Sequence, residues 1–118
     1  MYSIDAILKE LKSQSKIFGS ILIDDTGAPI AADLPTHIDE DKIAIIYAIV
    51  LQTGEKGIRD NDYGNLDWIS IKGDKGEMFL FKVKEGLILC VLAPVNTPLG
   101  ILMLSAQNAI KKIRRVME

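Results

Sequence analysis

Three apolar runs in the second half of the chain, Leu66 to Lys72, Glu77 to Val83 and Leu87 to Leu92, are separated only by Gly73-Asp74-Lys75-Gly76 and Lys84-Glu85-Gly86. Connections that short join antiparallel neighbours, because a parallel pair needs a crossover of roughly a dozen residues or more. Each separator carries glycine, which tolerates the backbone angles of a tight turn. The sequence therefore commits to an antiparallel three-strand meander, and every other element must be fitted to it. Upstream, Ile17 to Ile23, the turn signal Asp24-Asp25-Thr26-Gly27 and the run Pro29 to Leu34 read as a β-hairpin. Pro29 stands near the start of its strand, where a missing N–H costs least.

Three helices frame these strands. Ser3 is a good N-cap, Asp5 suits a first turn, and Ile4, Ile7, Leu8 and Leu11 fall at helical spacing. Asp39 caps a second helix with Glu40 and Asp41 at its positive end, and Lys56-Gly57 predicts its stop. Thr97-Pro98 predicts an N-cap followed by proline in the first helical position. From there Leu99, Leu102, Met103, Ala106, Ile110, Ile113 and Met117 share one face of a long third helix. The order α-β-β-α-β-β-β-α predicts an α/β (α+β) domain, with helices covering a five-stranded antiparallel sheet. At 118 residues, with no repeat or linker, the chain reads as a single domain over residues 1–118.

Composition narrows the function. A net charge of −2 supplies no basic field for a phosphate backbone, so no nucleic-acid partner is expected. The lone cysteine, Cys90, allows no intramolecular disulfide and reads as a reduced, intracellular compartment. Residues Met1 to Lys12 place charges every few positions, unlike a signal peptide. The longest apolar run, Ile43 to Leu51, is about half the ~20 residues a membrane span needs. A soluble, cytoplasmic protein without membrane insertion is expected.

No residue set assembles into a catalytic or metal centre. His37 is the only histidine and, with one buried-looking thiol, cannot complete a zinc site. Nothing orients it towards a nucleophile. Asp24 and Asp25 sit in a turn, where carboxylates bond their own backbone. Cys90, between Leu89 and Val91 in the strand expected to be central, reads as an inert thiol. Gly73-Asp74-Lys75-Gly76 lacks the spacing of a phosphate loop and precedes a strand rather than a helix. Lys111, Lys112, Arg114 and Arg115 suit the negative end of the last helix as a solvated face, the sharper alternative being docking to an acidic partner or membrane surface. No enzyme activity, cofactor or metal is expected.

The chain instead has more apolar surface than one core requires. On the second helix Ile43, Ile46, Tyr47, Val50 and Leu51 form one sector suited to a sheet. Ile45 and Ile49 lie outside it, one turn apart, sharing their face with Gln52 and Lys56. The first meander strand offers Leu66, Trp68 and Ser70 on one side and Asp67, Ile69 and Ile71 on the other. As a sheet edge it would be hazardous unless something pairs with it, and a second copy across a two-fold axis is the simplest solution. A tryptophan packed in the protomer's own core is the ordinary alternative.

The element order, together with Gly19-Ser20-Ile21-Leu22-Ile23-Asp24-Asp25-Thr26-Gly27, Leu66-Asp67-Trp68-Ile69-Ser70-Ile71 and Thr97-Pro98-Leu99-Gly100-Ile101-Leu102, resembles the roadblock (dynein light-chain roadblock) family over roughly residues 3–116. The resemblance implies a three-layer sandwich with sheet order 2-1-5-4-3, the first and third helices on one face and the second on the other. It also implies a homodimer built on paired third strands and second helices. Ile45, Ile49, Gln52, Lys56, Trp68, Ile69 and Ile71 are then the expected interface. Such dimers bind or regulate small Ras-like GTPases or act as scaffolds, and Arg59, after the second helix, is the candidate partner contact. A small-molecule sensor of PAS-like or profilin-like type is the alternative, but the candidate inward positions Ile21, Ile23, Leu87, Leu89 and Val91 offer no converging polar groups.

Overall fold

A computed structural model describes residues 3–118. Its elements follow the expected order: α1 (Ile4–Ser15), β1 (Gly19–Asp24), β2 (Pro29–Asp33), α2 (Glu40–Asp60), β3 (Trp68–Lys72), β4 (Glu77–Lys84), β5 (Leu87–Ala93) and α3 (Leu99–Val116). The strands form one antiparallel sheet in the order β2-β1-β5-β4-β3, which puts β5 at the centre and β3 at an edge. Register fixes which residues share a face. Ile69, Leu80, Cys90, Ile21 and Ala32 stand opposite one another across the sheet, and Trp68, Phe81, Leu89, Leu22 and Ala31 form the adjacent row on the other side.

Both faces are apolar, and helices pack on each. On one, Phe79, Phe81, Leu89, Val91 and Leu22 meet Ile7, Leu8 and Leu11 of α1 and Leu102, Ala106, Ile110 and Ile113 of α3. On the other, Ile21, Ile23, Leu80, Ile88 and Cys90 meet Ala44, Tyr47, Ala48 and Leu51 of α2. The positions expected to face inward thus divide between the two layers, Ile21 and Ile23 under α2 and Leu87, Leu89 and Val91 under α1 and α3.

Several boundaries differ from expectation for identifiable reasons. Ser3 caps α1 as expected, accepting from the Ala6 amide at 3.1 Å. The second helix does not stop at Gly57 but runs to Asp60: a Lys56–Asp60 pair supports the extra turn, and the Asn61 side-chain Nδ2 donates to the Gly57 carbonyl at 2.8 Å. At α3, Pro98 rather than Thr97 is the N-cap, and no side chain caps the helix. The Thr97 hydroxyl instead donates to the Pro94 carbonyl, closing the preceding turn. The buried stripe of α2 is also rotated. Ala44 and Ala48 face the sheet, whereas Ile46, expected in the core, is 45% exposed. The small alanines let the helix backbone approach the strands, so a bulky isoleucine on the flank is left outside.

Two features, one at each end, anchor the first hairpin. The Asp24 carboxylate accepts from the Thr26 hydroxyl at 2.6 Å and from the Thr26 and Ala28 amides at 2.9 and 3.0 Å. The Thr26 hydroxyl, followed by the Ala28 amide, lowers the Asp24 pKa below its ordinary value. At the far end of β1, a Cβ on Gly19 would collide with the Asp33 carbonyl oxygen, so only glycine lets β2 approach there.

Gly19→Ala should lower unfolding free energy by about 1–3 kcal/mol in urea melts, because the clash is with backbone. Unchanged stability would mean the hairpin can part freely there. Because the folded pKa of Asp24 is depressed, its ionisation stabilises the fold fully above the ordinary carboxylate range, and that contribution disappears as pH falls through the folded value. The stability gap between wild type and Asp24→Asn should therefore be widest at neutral pH and narrow below roughly pH 4. A gap that is flat or widens on acidification would contradict this.

Candidate functional site on the second-helix face

The α2 side of the sheet carries three rows of side chains. Ile88 and Ile23 form the row nearest the β1–β2 and β4–β5 turns, and Ile69, Leu80, Cys90, Ile21 and Ala32 form the middle row. The third contains Ile71, Met78 and Leu92. Helix α2 covers the first two and not the third. Ile88, Ile23, Leu80, Cys90 and Ile21 are buried, Met78 and Leu92 are half-buried, and Ile71 is 41% exposed.

Polar ties hold α2 in this position. The Gln52 amide donates to the Asp25 carbonyl at 2.8 Å, and Glu55 pairs with Lys82 of β4 at 3.0 Å. The Glu55 carboxylate raises the Lys82 pKa, with Glu85 adding to the effect. A Cβ on Gly27 would lie 3.0 Å from the Ile45 Cα, and one on Gly54 would meet the Ile69 side chain. The helix therefore runs obliquely across the sheet, from the β1–β2 turn towards β3, pressed to the turn end.

One flank of α2 thus abuts the turns and the other faces the uncovered row. Helical geometry places Ile45 and Gln52 on the first flank. Ile46 and Val50 are on the second, and Ile49, 57% exposed, is on the crest between them. Lys56 is exposed and paired with Asp60. Ile46, Ile71, Met78 and Leu92 consequently border one apolar region, with Ile49 on the solvent crest of the helix above it. Phe18, 46% exposed, closes it at the sheet end, where a cleft of about 320 Å³ is lined by Phe18, Ile71, Met78 and Leu92.

The residues singled out from sequence separate accordingly. Ile71 borders the open region, Ile49 lies on the crest of α2, and Ile45 and Gln52 lie on the opposite flank. Ile69 is partly buried beneath α2. Trp68, half-buried, packs on the other sheet face, its ring 6.3 and 6.2 Å from those of Phe79 and Phe81. Arg59 is exposed in the last turn of α2, about 15 Å along the helix from Ile49. Ile46, Met78, Leu92 and Phe18 were not foreseen. Met78 and Leu92 join Ile71 only through strand register, and Ile46 becomes visible only once Ala44 and Ala48 are known to face the sheet.

The titratable groups beneath the helix are insulated. Burial pushes the Cys90 thiol well above its ordinary pKa, which keeps it protonated and unreactive. Burial, with a smaller contribution from Cys90, pushes Tyr47 up to about 12. Among the described residues, no three His, Cys, Asp or Glu side chains converge as a metal site would require, and no helix is long and apolar enough to cross a membrane.

The same architecture occurs in solved structures. Myxococcus xanthus MglB superposes with a TM-score of 0.91 at 18% identity, over 97% of this chain and 94% of that one. A Roadblock/LC7 domain from Streptomyces avermitilis gives 0.89 at 19% identity, over 98% of each chain. Among curated proteins, the uncharacterised protein MJ1340 of Methanocaldococcus jannaschii is 28% identical over 111 residues, spanning 94% of this chain and 96% of its own length. The sequence profile described as "Roadblock/LC7 domain" matches residues 3–93, three-quarters of the chain and all five strands. The protein is a member of the Roadblock/LC7 domain family.

Proposed function

We propose that the protein is a non-enzymatic homodimeric adaptor whose dimer binds a small Ras-like GTPase or scaffolds a complex containing one. The observation that carries the dimer is the uncovered row of Ile71, Met78 and Leu92 beside the exposed flank of α2. A second copy related by a two-fold axis would lay its own α2 over that row and pair its β3 edge with this one. Both unprotected features would then be satisfied by one isologous contact. A standard interface buries roughly 800 Å² per partner, within reach of a helix flank, a strand edge and Phe18 together.

The GTPase rests on the family resemblance, and the lack of enzymatic chemistry is consistent with the insulated Cys90 and the turn-bound Asp24. The adaptor reading is preferred to a small-molecule sensor because aliphatic side chains fill the layer between α2 and the sheet. We place the protein in the cytoplasm and read residues 1–118 as one domain. Arg59 is the arginine nearest this face, but its position at the end of α2, far from Ile46 and Ile49, fits partner contact better than catalysis in trans. Regulation would then work by binding one switch conformation better than the other, limited by the difference in affinity.

Multi-angle light scattering should report a dimer at micromolar concentration. Ile46→Glu or Ile49→Glu should shift it to a folded monomer. A monomeric wild type would sink the dimer, and variants that remain dimeric would move its interface away from this region. For the GTPase, Arg59→Ala should leave any stimulation of hydrolysis within about tenfold at saturating protein. An arginine finger would instead cost on the order of 10³–10⁵. Absence of binding to any Ras-like GTPase in either nucleotide state would leave only a scaffold.

A further inference from the structure

The charge of the molecule is divided by layer. The 118-residue chain holds 14 basic and 16 acidic residues. Helix α1 with its cap residue Lys16, together with α3, accounts for seven of the basic residues and only two of the acidic ones, Asp5 and Glu10. The rest of the chain therefore holds seven basic residues against fourteen acidic. The two helices lie side by side on the sheet face opposite α2, joined by a Glu10–Lys112 pair at 2.6 Å. The end of α1 is beside the start of α3, where Gln14, Lys16, Pro98 and Ile101 line a common groove. They run antiparallel and form a broad, positively charged slab.

The slab is also apolar where a solvated surface would not be. Ile101, Leu104, Asn108, Lys111 and Arg115 recur at helical spacing along the outer ridge of α3, and all are exposed. Ile101 is 56% and Leu104 66% exposed, with Leu99 beside them at 49%. Lys112 and Arg114 are engaged within the fold, Lys112 by Glu10 and Arg114 by the Val83 carbonyl. Among the described residues, Lys9, Lys12, Lys16, Lys111 and Arg115 form no ion pair. The helix dipole accounts for Arg115 in the last turn of α3 and for Lys12 and Lys16 at the end of α1, but not for Lys9, Lys111 or the aliphatic side chains at the start of α3.

We infer that the α1/α3 layer is a docking surface for an anionic phospholipid membrane, which it engages peripherally. Charge complementarity selects the counter-surface. The unpaired cations are spread over two parallel helix ridges rather than gathered in a pocket, and α3 alone is about 27 Å long. A planar, fluid, anionic surface can meet all of them at once, whereas a protein partner would need carboxylates at matching fixed positions. The aliphatic side chains on the ridge would lie at the headgroup boundary, as they do in interfacial amphipathic helices. The acidic remainder of the molecule, including the α2 face, would point away from the membrane, leaving that face open for the second copy.

Vesicle sedimentation with the full chain tests this. Wild type should be retained by vesicles of phosphatidylglycerol mixed with phosphatidylcholine, released by added salt, and not retained by phosphatidylcholine alone. Neutralising two charges, Lys111→Ala with Arg115→Ala, should weaken retention roughly 30-fold, at about fivefold per charge near the surface. Leu104→Ser should weaken it about tenfold. Thermal melts show whether these variants fold. If the α3 pair does not, Lys9→Ala with Lys16→Ala should give the same loss. No retention by the anionic vesicles at low salt would overturn the inference. Equal retention by neutral vesicles would also overturn it, as would retention unchanged in the charge variants. Capture on immobilised polyglutamate without vesicle retention would assign the surface to an acidic protein and overturn it equally.

Discussion

A sheet that is apolar on both faces must be covered on both, and this molecule has two helices for one face and only one for the other. Five strands spaced at ~4.8 Å make a face on the order of 24 Å wide, and the seven-residue β5 is of similar length. A helix is only about 10 Å across. The pair α1 and α3 can close its side, whereas α2, laid across the strands, shields a strip and leaves the remainder bare. That partly exposed remainder is the row of Ile71, Met78 and Leu92, with Ile71 the most exposed. Its position follows from the contacts that draw α2 to the turn end, chiefly Gln52 on Asp25 and Glu55 on Lys82.

The contacts that fix α2 also fix the character of its flanks. Ala44 and Ala48 let the helix sit close to Cys90 and Ile21, so Ile46 cannot turn inward and remains beside the bare row. The same close packing buries Cys90 and Tyr47 and raises the pKa of both. The opposite layer has other priorities. There Trp68 packs beside Phe79 and Phe81, and the outer surface of α1 and α3 carries a local surplus of basic residues.

Most of the fold is legible in the sequence because its signals are local. Short glycine-bearing turns dictate the meander, Ser3 and Asp39 mark helix starts, and the Asp24-to-Gly27 turn closes the first hairpin. Expectation failed where a boundary depends on a neighbour. Gly57 resembles a stop until Asn61 caps that turn, and Thr97 resembles a cap until its hydroxyl reaches Pro94. The candidate site was half legible. Ile49 and Ile71 are conspicuous as surplus apolar residues, but the periodic pattern ranked isoleucine above alanine for the core and so misplaced Ile46. Met78 and Leu92 look like ordinary strand residues, since nothing in the sequence tells how far along the strands a covering helix will reach. Trp68 does lie in the edge strand, and its ring packs against Phe79 and Phe81 of its own protomer, the ordinary alternative for a tryptophan there.

The central claim is that this bare region and the β3 edge are covered by a second copy. Residue-resolved amide hydrogen exchange on β3 tests it most directly, because the N–H groups pointing away from β4 have no partner inside the protomer. The account predicts that these outward amides of Trp68–Lys72 exchange slowly in wild type and rapidly in Ile46→Glu, while β5 stays protected in both. Rapid exchange of the outward β3 amides in wild type, at concentrations where light scattering reports a dimer, would contradict edge pairing and require the copies to meet elsewhere.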